Sequence, residues 1–381
     1  MPGFDHNATA PLRECSRKAW LDAGEQFRAN PSALYPAALR AKAALEKARG
    51  DVAGLLACEP GRIIFTSGAT EANNAVLRRF AGPDARCAVS AVEHPSVLET
   101  ARALFGERLA LLPVDSSGRV DPAAAAEIIF DLKPALVSVM AANSETGVIQ
   151  PIYDIAGICR EAGVPFHCDA VQWPGRLPLG DIARHCAYMS FGAHKFGGPR
   201  GAGILLAPAQ DAGLRGQFGG RQEGGRRAGT EDVADILAAA AALKEAVAEV
   251  ADGRAAAQQG FKAAFEARME ALGAELAGKQ APRLPNTSLL LMPRHEGARW
   301  VLRLAKLGFE TGTGSACSSG RAGPSHVLNA MGIDAARAKR SLRVSSGAAT
   351  PERDWQALAD AAEQVLADLD AEARDSAVVS I

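Results

Sequence analysis

The chain has 381 residues, 48% of them hydrophobic and 22% charged, with a net charge of −1 and 38 Gly, 21 Pro and 7 Cys. That length gives a prior of roughly two domains with a core that needs no disulfide or metal staple, and the balanced charge with 5% aromatic residues argues against a nucleic-acid platform or a polybasic membrane surface. No apolar run reaches the roughly 18 residues of a transmembrane helix, the N-terminus lacks the basic-then-apolar order of a secretory leader, and an odd set of cysteines without a C-x-x-C pair predicts a reduced, cytoplasmic compartment.

In chain order, the first dozen residues read as irregular. Residues 13–56 carry an alanine-rich helical pattern that Pro31 and Pro36 break in two. From residue 63 onward short apolar runs alternate with helical stretches. Strands are predicted over 63–66, 87–92, 109–114, 135–140, 165–168, 187–191 and 203–206, and helices over 71–80, 95–105, 122–130 and 152–161. Near-continuous apolar strands alternating with helices predict an α/β unit built on a mainly parallel sheet covered on both faces. Helical patterns follow over 232–248 and 255–276. A strand at 286–292, a helix at 298–307, a strand at 343–345 and a helix at 351–369 then predict a smaller α+β unit. The boundary falls near residue 250, giving a large domain over 13–250 and a small one from 1–12 with 251–381. The last residues, 375–381, read as frayed.

In open parallel sheets ligands bind beyond the carboxyl ends of the strands. Five predicted strand ends deliver polar groups there: Ser67-Gly68-Ala69-Thr70, Glu93-His94, Asn143, Asp169 with Gln172, and His194-Lys195. The first opens a helix, where free N–H groups and the helix dipole favour an anion, although an ordinary N-cap uses the same residue types. Lys195 precedes a glycine-rich turn that admits close approach, and a lysine at a buried site edge is the residue type that bonds an aldehyde as a Schiff base. A carboxylate such as Asp169 is the natural partner for a protonated ring nitrogen, and lysine plus acid is the pattern of pyridoxal phosphate enzymes.

Cys317 lies in Gly314-Ser315-Ala316-Cys317-Ser318-Ser319-Gly320, a run of small residues without apolar periodicity. That setting favours an exposed, movable nucleophile. The other six cysteines, Cys15, Cys58, Cys87, Cys159, Cys168 and Cys186, sit in or beside apolar segments and read as core. His167-Cys168 and His185-Cys186 do not have the spacing of a zinc site, and no metal is expected. Arg343, inside a short strand pattern, is a candidate carboxylate clamp.

These residues together resemble the cysteine desulfurases of the nitrogen-fixation and iron–sulfur-cluster type, in the class V aminotransferase group of fold-type-I pyridoxal phosphate enzymes. The resemblance runs almost end to end. It rests on Asp5-His6-Asn7-Ala8-Thr9-Ala10-Pro11, Phe65-Thr66-Ser67-Gly68-Ala69-Thr70-Glu71, Glu93-His94, Asn143-Ser144-Glu145-Thr146-Gly147 and Asp169-Ala170-Val171-Gln172. It continues through residues 190–201 around His194-Lys195, Arg226-Arg227-Ala228-Gly229-Thr230-Glu231, the Cys317 run, and Ser341-Leu342-Arg343.

The resemblance implies pyridoxal 5'-phosphate held covalently by Lys195, with Asp169 at the ring nitrogen, His94 stacked on the ring and Gln172 at the ring hydroxyl. Ala69, Thr70 and His194 would bind the phosphate, and Thr230 would reach the phosphate of the partner in a homodimer. Asn143 is implied at both cofactor and substrate, with Asn7 and Arg343 on the substrate. Cys317 would take sulfur from L-cysteine as a persulfide, leaving L-alanine, and pass it to an acceptor such as an iron–sulfur scaffold protein. A selenocysteine lyase or other lyase of the same fold, or a sulfur-relay assembly subunit, are the alternatives. The sequence departs from the family pattern at Gly192, where a serine is usual, at Tyr35, where a histidine is usual, at Arg221 within a glycine run, and at Ala141-Ala142. Half of the 38 glycines fall in 192–230 and 308–347, the stretches around Lys195 and Cys317.

Overall fold

A computed structural model describes residues 3–314 and 325–378. Seven strands form the larger sheet: β1 Ile63–Thr66, β2 Cys87–Ser90, β3 Leu109–Leu112, β4 Leu136–Ser138, β5 Phe166–Asp169, β6 Tyr188–Gly192 and β7 Gly203–Leu206. Their order is β1-β7-β6-β5-β4-β2-β3. All neighbouring pairs from β6 across to β3 are parallel, and β7 runs antiparallel to both β1 and β6. Except for the edge strand β3, these strands are buried throughout. This is why they read as continuous apolar runs rather than alternating ones.

Helices cover both faces. One face packs the core of Leu45, Val52, Ile155, Ile204 and Leu243 beneath the helices Pro36–Leu55, Ile152–Ala162 and Val233–Ala251. The other packs Ile64, Val76, Val97, Phe105 and Leu205 beneath Ala69–Phe80 and Pro95–Phe105. A second, antiparallel sheet follows, with β8 Glu275–Leu276, β9 Thr287–Leu291 and β10 Ser341–Ser345 in the order β10-β9-β8. Its core gathers Phe4, Phe265, Trp300 and Trp355 beneath the helices Arg254–Ala271, Gly297–Lys306 and Glu352–Val378. At Gly297 a Cβ would lie 1.9 Å from the Ser341 carbonyl oxygen, so glycine lets that helix start directly on β10.

Several boundaries differ from those expected. The helix predicted over 255–276 stops at Ala271, because Gly273 turns the chain at φ +88 and β8 begins two residues later. β4 ends at Ser138, short of the predicted 140, because the Met140 N–H donates to the Glu93 carboxylate at 2.7 Å. The final helix continues to Val378 through the stretch read as frayed. Cys15 and Cys58, read as core, are only half-buried, whereas Cys87, Cys159, Cys168 and Cys186 are buried. Burial pushes the Cys87 and Cys159 thiols up to about 12.

The N-terminal segment is irregular as predicted, with a turn at residues 6–8, and it forms a strap that hydrogen-bonds to β10 and to the turn after β6. Phe4 N–H donates to Glu310 O at 2.7 Å and His6 N–H to Ser345 O at 3.0 Å; Ala10 N–H donates to His194 O and Arg13 N–H to Gly197 O, both at 2.9 Å. Phe4 is fully buried and meets Trp355 edge-on at 5.0 Å.

A buried ion pair fixes the chain before the helix Val233–Ala251 to the sheet edge. Arg49 Nη1 and Nη2 donate to the two Glu223 oxygens at 2.7 and 2.8 Å, and Phe65 N–H donates to Glu223 Oε2 at 3.0 Å. Both side chains are buried, and without Glu223 the Arg49 guanidinium keeps as polar partners only Glu46 at 3.1 Å and the Ile63 carbonyl at 2.9 Å. Glu223→Ala is expected to lower the unfolding free energy by about 2–3 kcal/mol. Urea denaturation measures this, and a loss below about 1 kcal/mol would show that the pair contributes little net stability.

Candidate active site

A cavity of about 480 Å³ opens where the carboxyl ends of β1, β2, β4, β5 and β6 meet the start of β7. Each strand end contributes to its wall: Ser67 to Glu71 after β1, His94 after β2, Met140, Ala142 and Ser144 after β4, Asp169, Val171 and Gln172 at β5, His194 and Lys195 after β6. The strap supplies Ala8 and Thr9, and Arg200 to Ala202 close the remaining side.

The anion end is built from backbone. The helix Ala69–Phe80 begins without a side-chain cap, so its first-turn N–H groups are left for a ligand. Ser67 N–H and Oγ both donate to Glu71 Oε2, at 2.8 and 2.5 Å, and Arg227 holds the same carboxylate, donating to Oε1 at 3.0 Å. Gly203 approaches so closely that a Cβ there would lie 2.5 Å from Gly68 Cα. His194 joins this end, its Nδ1 2.9 Å from Thr9 Oγ1. Burial, with Lys195 and Arg200 nearby, pushes His194 down to about 4, so its ring is neutral.

Lys195 and Asp169 supply the ionisable pair. Lys195 Nζ donates to Asn7 O at 2.7 Å and to Ala8 O at 2.9 Å. The buried Asp169 accepts from Asn73 Nδ2 at 2.8 Å on Oδ2 and from Val171 N–H at 3.0 Å on Oδ1. Asn73 Nδ2 also donates to Ser96 Oγ at 2.9 Å, and Ser96 Oγ lies 2.8 Å from His94 Nδ1. A chain of polar contacts therefore runs from Asp169 to His94. Burial lowers the His94 pKa; the Asp169 charge acts in the opposite direction. Gln172 Nε2 donates to Asn7 O at 3.1 Å, while its buried Oε1 has no partner among the described residues.

This donor set suits one ligand class. The lysine amine can bond an aldehyde, the uncapped helix start and His194 can hold a phosphate, the carboxylate can meet a protonated ring nitrogen, and the orphaned Gln172 oxygen can accept from a ring hydroxyl.

Of the residues singled out in the sequence, Ala69, Thr70, His94, Asp169, Gln172, His194 and Lys195 line this cavity. Asn143 does not. Its Oδ1 accepts from Glu145 N–H, Thr146 N–H and Thr146 Oγ1, and its Nδ2 donates to Val92 O, so the amide is spent on shaping its own turn. Asn7 offers its carbonyl to Lys195 and sends its amide to Ser144 O and Thr287 Oγ1. Arg343 donates to Ser144 O at 3.1 Å and to Asp5 Oδ1 at 2.6 Å, one residue layer behind the cavity wall. Thr230 is exposed and outside the lining. Cys317 lies outside the described residues. Sequence reasoning passed over Thr9, Asn73 and Ser96. Asn73 carried a usable signal, a polar side chain on the otherwise apolar buried face of Ala69–Phe80.

Glu93 lies fully buried beside this site. Oε1 accepts from Ser90 Oγ at 2.6 Å and Met140 N–H at 2.7 Å, whereas Oε2 has no partner among the described residues. Burial, with the Asp169 charge adding to it, pushes the carboxyl up to about 8.

The chain matches the aminotransferase class-V family over residues 3–358. It is 37% identical to an IscS-like cysteine desulfurase of Mycobacterium tuberculosis over 397 aligned positions, covering 100% of this chain and 99% of the relative. It is 35% identical to the cysteine desulfurase NifS of Azotobacter vinelandii, covering 92% and 89%. Among solved structures, a NifS-like protein superposes with a TM-score of 0.87 at 30% identity, covering 96% of this chain and 99% of that one. SspA in complex with cysteine superposes at 0.79 with 28% identity, covering 91% and 99%.

The protonated Glu93 gives a pH signature. Its folded pKa lies above that of an ordinary carboxyl, so its contribution is full at low pH and is lost as pH rises through about 8. Glu93→Gln removes that loss. Relative to the wild type, the variant should gain stability between about pH 5 and 8, by up to about 1.4 kcal/mol per pH unit. Urea unfolding of both proteins across that range measures it, and a constant difference would mean that Glu93 is ionised throughout.

Proposed function

The chain belongs to the class-V aminotransferase family, within which it is a cysteine desulfurase, and we propose that it works with pyridoxal 5'-phosphate held by Lys195 and with Cys317 as the sulfur acceptor. The observation that carries this reading is the meeting of Lys195, Asp169 and His94 with an uncapped helix start in one cavity of about 480 Å³.

The cofactor, when bound, supplies an electron sink for the carbon atoms of the substrate. Lys195 Nζ would hold the group by its aldehyde and is the base placed to take the proton from the substrate Cα. Asp169, oriented by Asn73 and the Val171 N–H, would meet the protonated ring nitrogen. His94, positioned by Ser96, would pack on the ring. Ala69, Thr70 and His194 would hold the phosphate, and Gln172 Oε1 would accept from the ring hydroxyl. Arg343 and Asn7 border Ser144 behind the cavity wall, where they orient the substrate carboxylate directly or through that wall. The Cys317 thiolate then attacks the sulfur of L-cysteine. An S–S bond forms, the C–S bond breaks, and its electron pair remains on Cβ, which takes a proton; return of the Cα proton from Lys195 then gives L-alanine.

In the same reading residues 13–250 hold the cofactor, and 1–12 with 251–381 form the smaller unit that carries Cys317. The enzyme is a cytoplasmic homodimer in which Thr230 reaches the phosphate of the partner, and the persulfide passes to an acceptor such as an iron–sulfur scaffold protein. The exposed position of Thr230 supports a role outside its own cavity.

Replacement of the acceptor tests the chemistry. Cys317→Ala should keep the yellow colour of the loaded enzyme and lose at least about a hundredfold in sulfide release from L-cysteine. Mass spectrometry of the unmutated protein after incubation with L-cysteine should find one added sulfur on Cys317. Unreduced turnover in the variant would move the acceptor elsewhere, and a strong preference for selenocysteine in competition would move the substrate.

Gly192 offers a second test. Its backbone is extended (φ −114, ψ 120), and a Cβ there would meet nothing closer than 3.6 Å, with Ala69 and His194 as its neighbours. A serine therefore fits and would place a hydroxyl at the phosphate end. Gly192→Ser should tighten cofactor binding by about fivefold, the worth of one modest hydrogen bond. Reconstitution of the apoprotein measures this, and weaker binding would show that the hydroxyl is misdirected.

A further inference from the structure

Lys195 is shared by two cavities. The second, about 40 Å³, is also walled by His6, Arg13, Arg176, Gln258 and Asn286. Most of these side chains are already satisfied. Arg13 donates to Phe196 O, Glu245 and Glu249, and Gln258 Nε2 donates to Ala348 O and Thr350 O. Asn286 Nδ2 donates to Ser346 O at 2.8 Å.

Arg176 is the exception. It is only 7% exposed, and its hydrogen bonds among the described residues are long ones from Nη2, 3.3 Å to Asn7 Oδ1 and 3.5 Å to His6 O. Its buried Nε and Nη1 have no partner among the described residues, and no described carboxylate pairs with it. A guanidinium keeps its charge at any physiological pH, so it cannot escape burial by losing a proton. A buried ion without a counter-charge is among the costliest arrangements a fold can hold. The neighbours make matters worse, since Arg343 adds positive charge beside Arg176. His6 offers no relief: burial, Arg176 and Arg13 together push it down to about 4, and its ring is neutral.

We propose that this cavity is a binding site for a small inorganic anion of the halide class, held by Nε and Nη1 of Arg176 as the buried counter-ion next to Lys195. The size fits. About 40 Å³ has room for roughly two or three waters or for one halide with a water. A halide also needs no fixed acceptor geometry, only converging N–H groups. Water alone would meet the hydrogen bonds and leave the charge in place. This site is separate from the cofactor reading, because it depends on neither turnover nor Cys317.

Two measurements decide it. Crystals of the holoenzyme soaked in sodium bromide should show an anomalous peak within hydrogen-bonding reach of Arg176 Nε and Nη1. In solution, the holoenzyme should melt about 2 °C or more higher in sodium chloride than in sodium gluconate of equal ionic strength. In Arg176→Met that difference should vanish. Water density with no anomalous signal in the soaked crystal would overturn the proposal, as would an equal chloride effect in the variant. Should Arg176→Met fail to fold, the bromide peak in the unmutated enzyme decides alone.

Discussion

Two backbone carbonyls, those of Asn7 and Ala8, hold the Lys195 ammonium at 2.7 and 2.9 Å, and much of the site depends on that contact. A lysine at the end of a strand ordinarily points its charge into water. Here the N-terminal strap crosses the strand ends and offers oxygen in place of water. The strap stays in place because both sheets grip it. Phe4 is locked in the smaller core, and the amides of Ala10 and Arg13 are bound by the turn that carries Lys195. The same crossing brings Thr9 to His194 and the Asn7 carbonyl to Gln172. One irregular segment thus sets the position of the amine, the imidazole and the amide that face the cavity.

The charges in the site are ordered by how well each is solvated by the fold. Asp169 and Glu93 are two buried carboxyls, and the Asp169 charge adds to the burial that pushes Glu93 up. Asp169 has a donor on each oxygen, while Glu93 has two donors on one oxygen and none on the other. The less solvated group, Glu93, is the one pushed up. Asp169 lines the cavity together with the lysine. His167 is handled in the same way: clamped between the Ser138 and Ser190 hydroxyls at 2.8 and 3.0 Å, it is pushed down to about 4 and packs as a neutral group beneath the sheet.

What was legible in the sequence followed from periodicity and from strand ends. Runs such as Ile63-Ile64-Phe65 could be placed because a doubly covered strand must be apolar on both faces, and the polar residues just beyond them had nowhere to go but the sheet edge. What escaped was set by contacts distant in sequence. Nothing local marks the Asn7 carbonyl as a ligand for a lysine 188 residues away. The end of β4 was misplaced because a side chain, Glu93, replaces a ladder partner, and hydrophobicity does not report that exchange. Asn143 has the right residue type at the right strand end, yet its amide is consumed by the turn it builds. Position at a strand end is therefore not a sufficient condition for facing the cavity.

The glycines show how the backbone itself becomes part of the binding surface. β7 runs against its neighbours and enters the sheet beside the start of Ala69–Phe80, so Gly203 must pass within a Cβ radius of Gly68. Any side chain there would displace the uncapped N–H groups that face the cavity. Gly197 has φ +83, and a Cβ on it would lie 2.5 Å from Arg13 Cγ; this close packing lets Arg13 reach over the lysine turn to Phe196 O. Gly192 is different, since its backbone is ordinary and the space beside it accepts a side chain. High glycine content around the lysine therefore has two origins. At 197 and 203 geometry excludes a side chain, and at 192 it does not, so the fold does not demand glycine at 192.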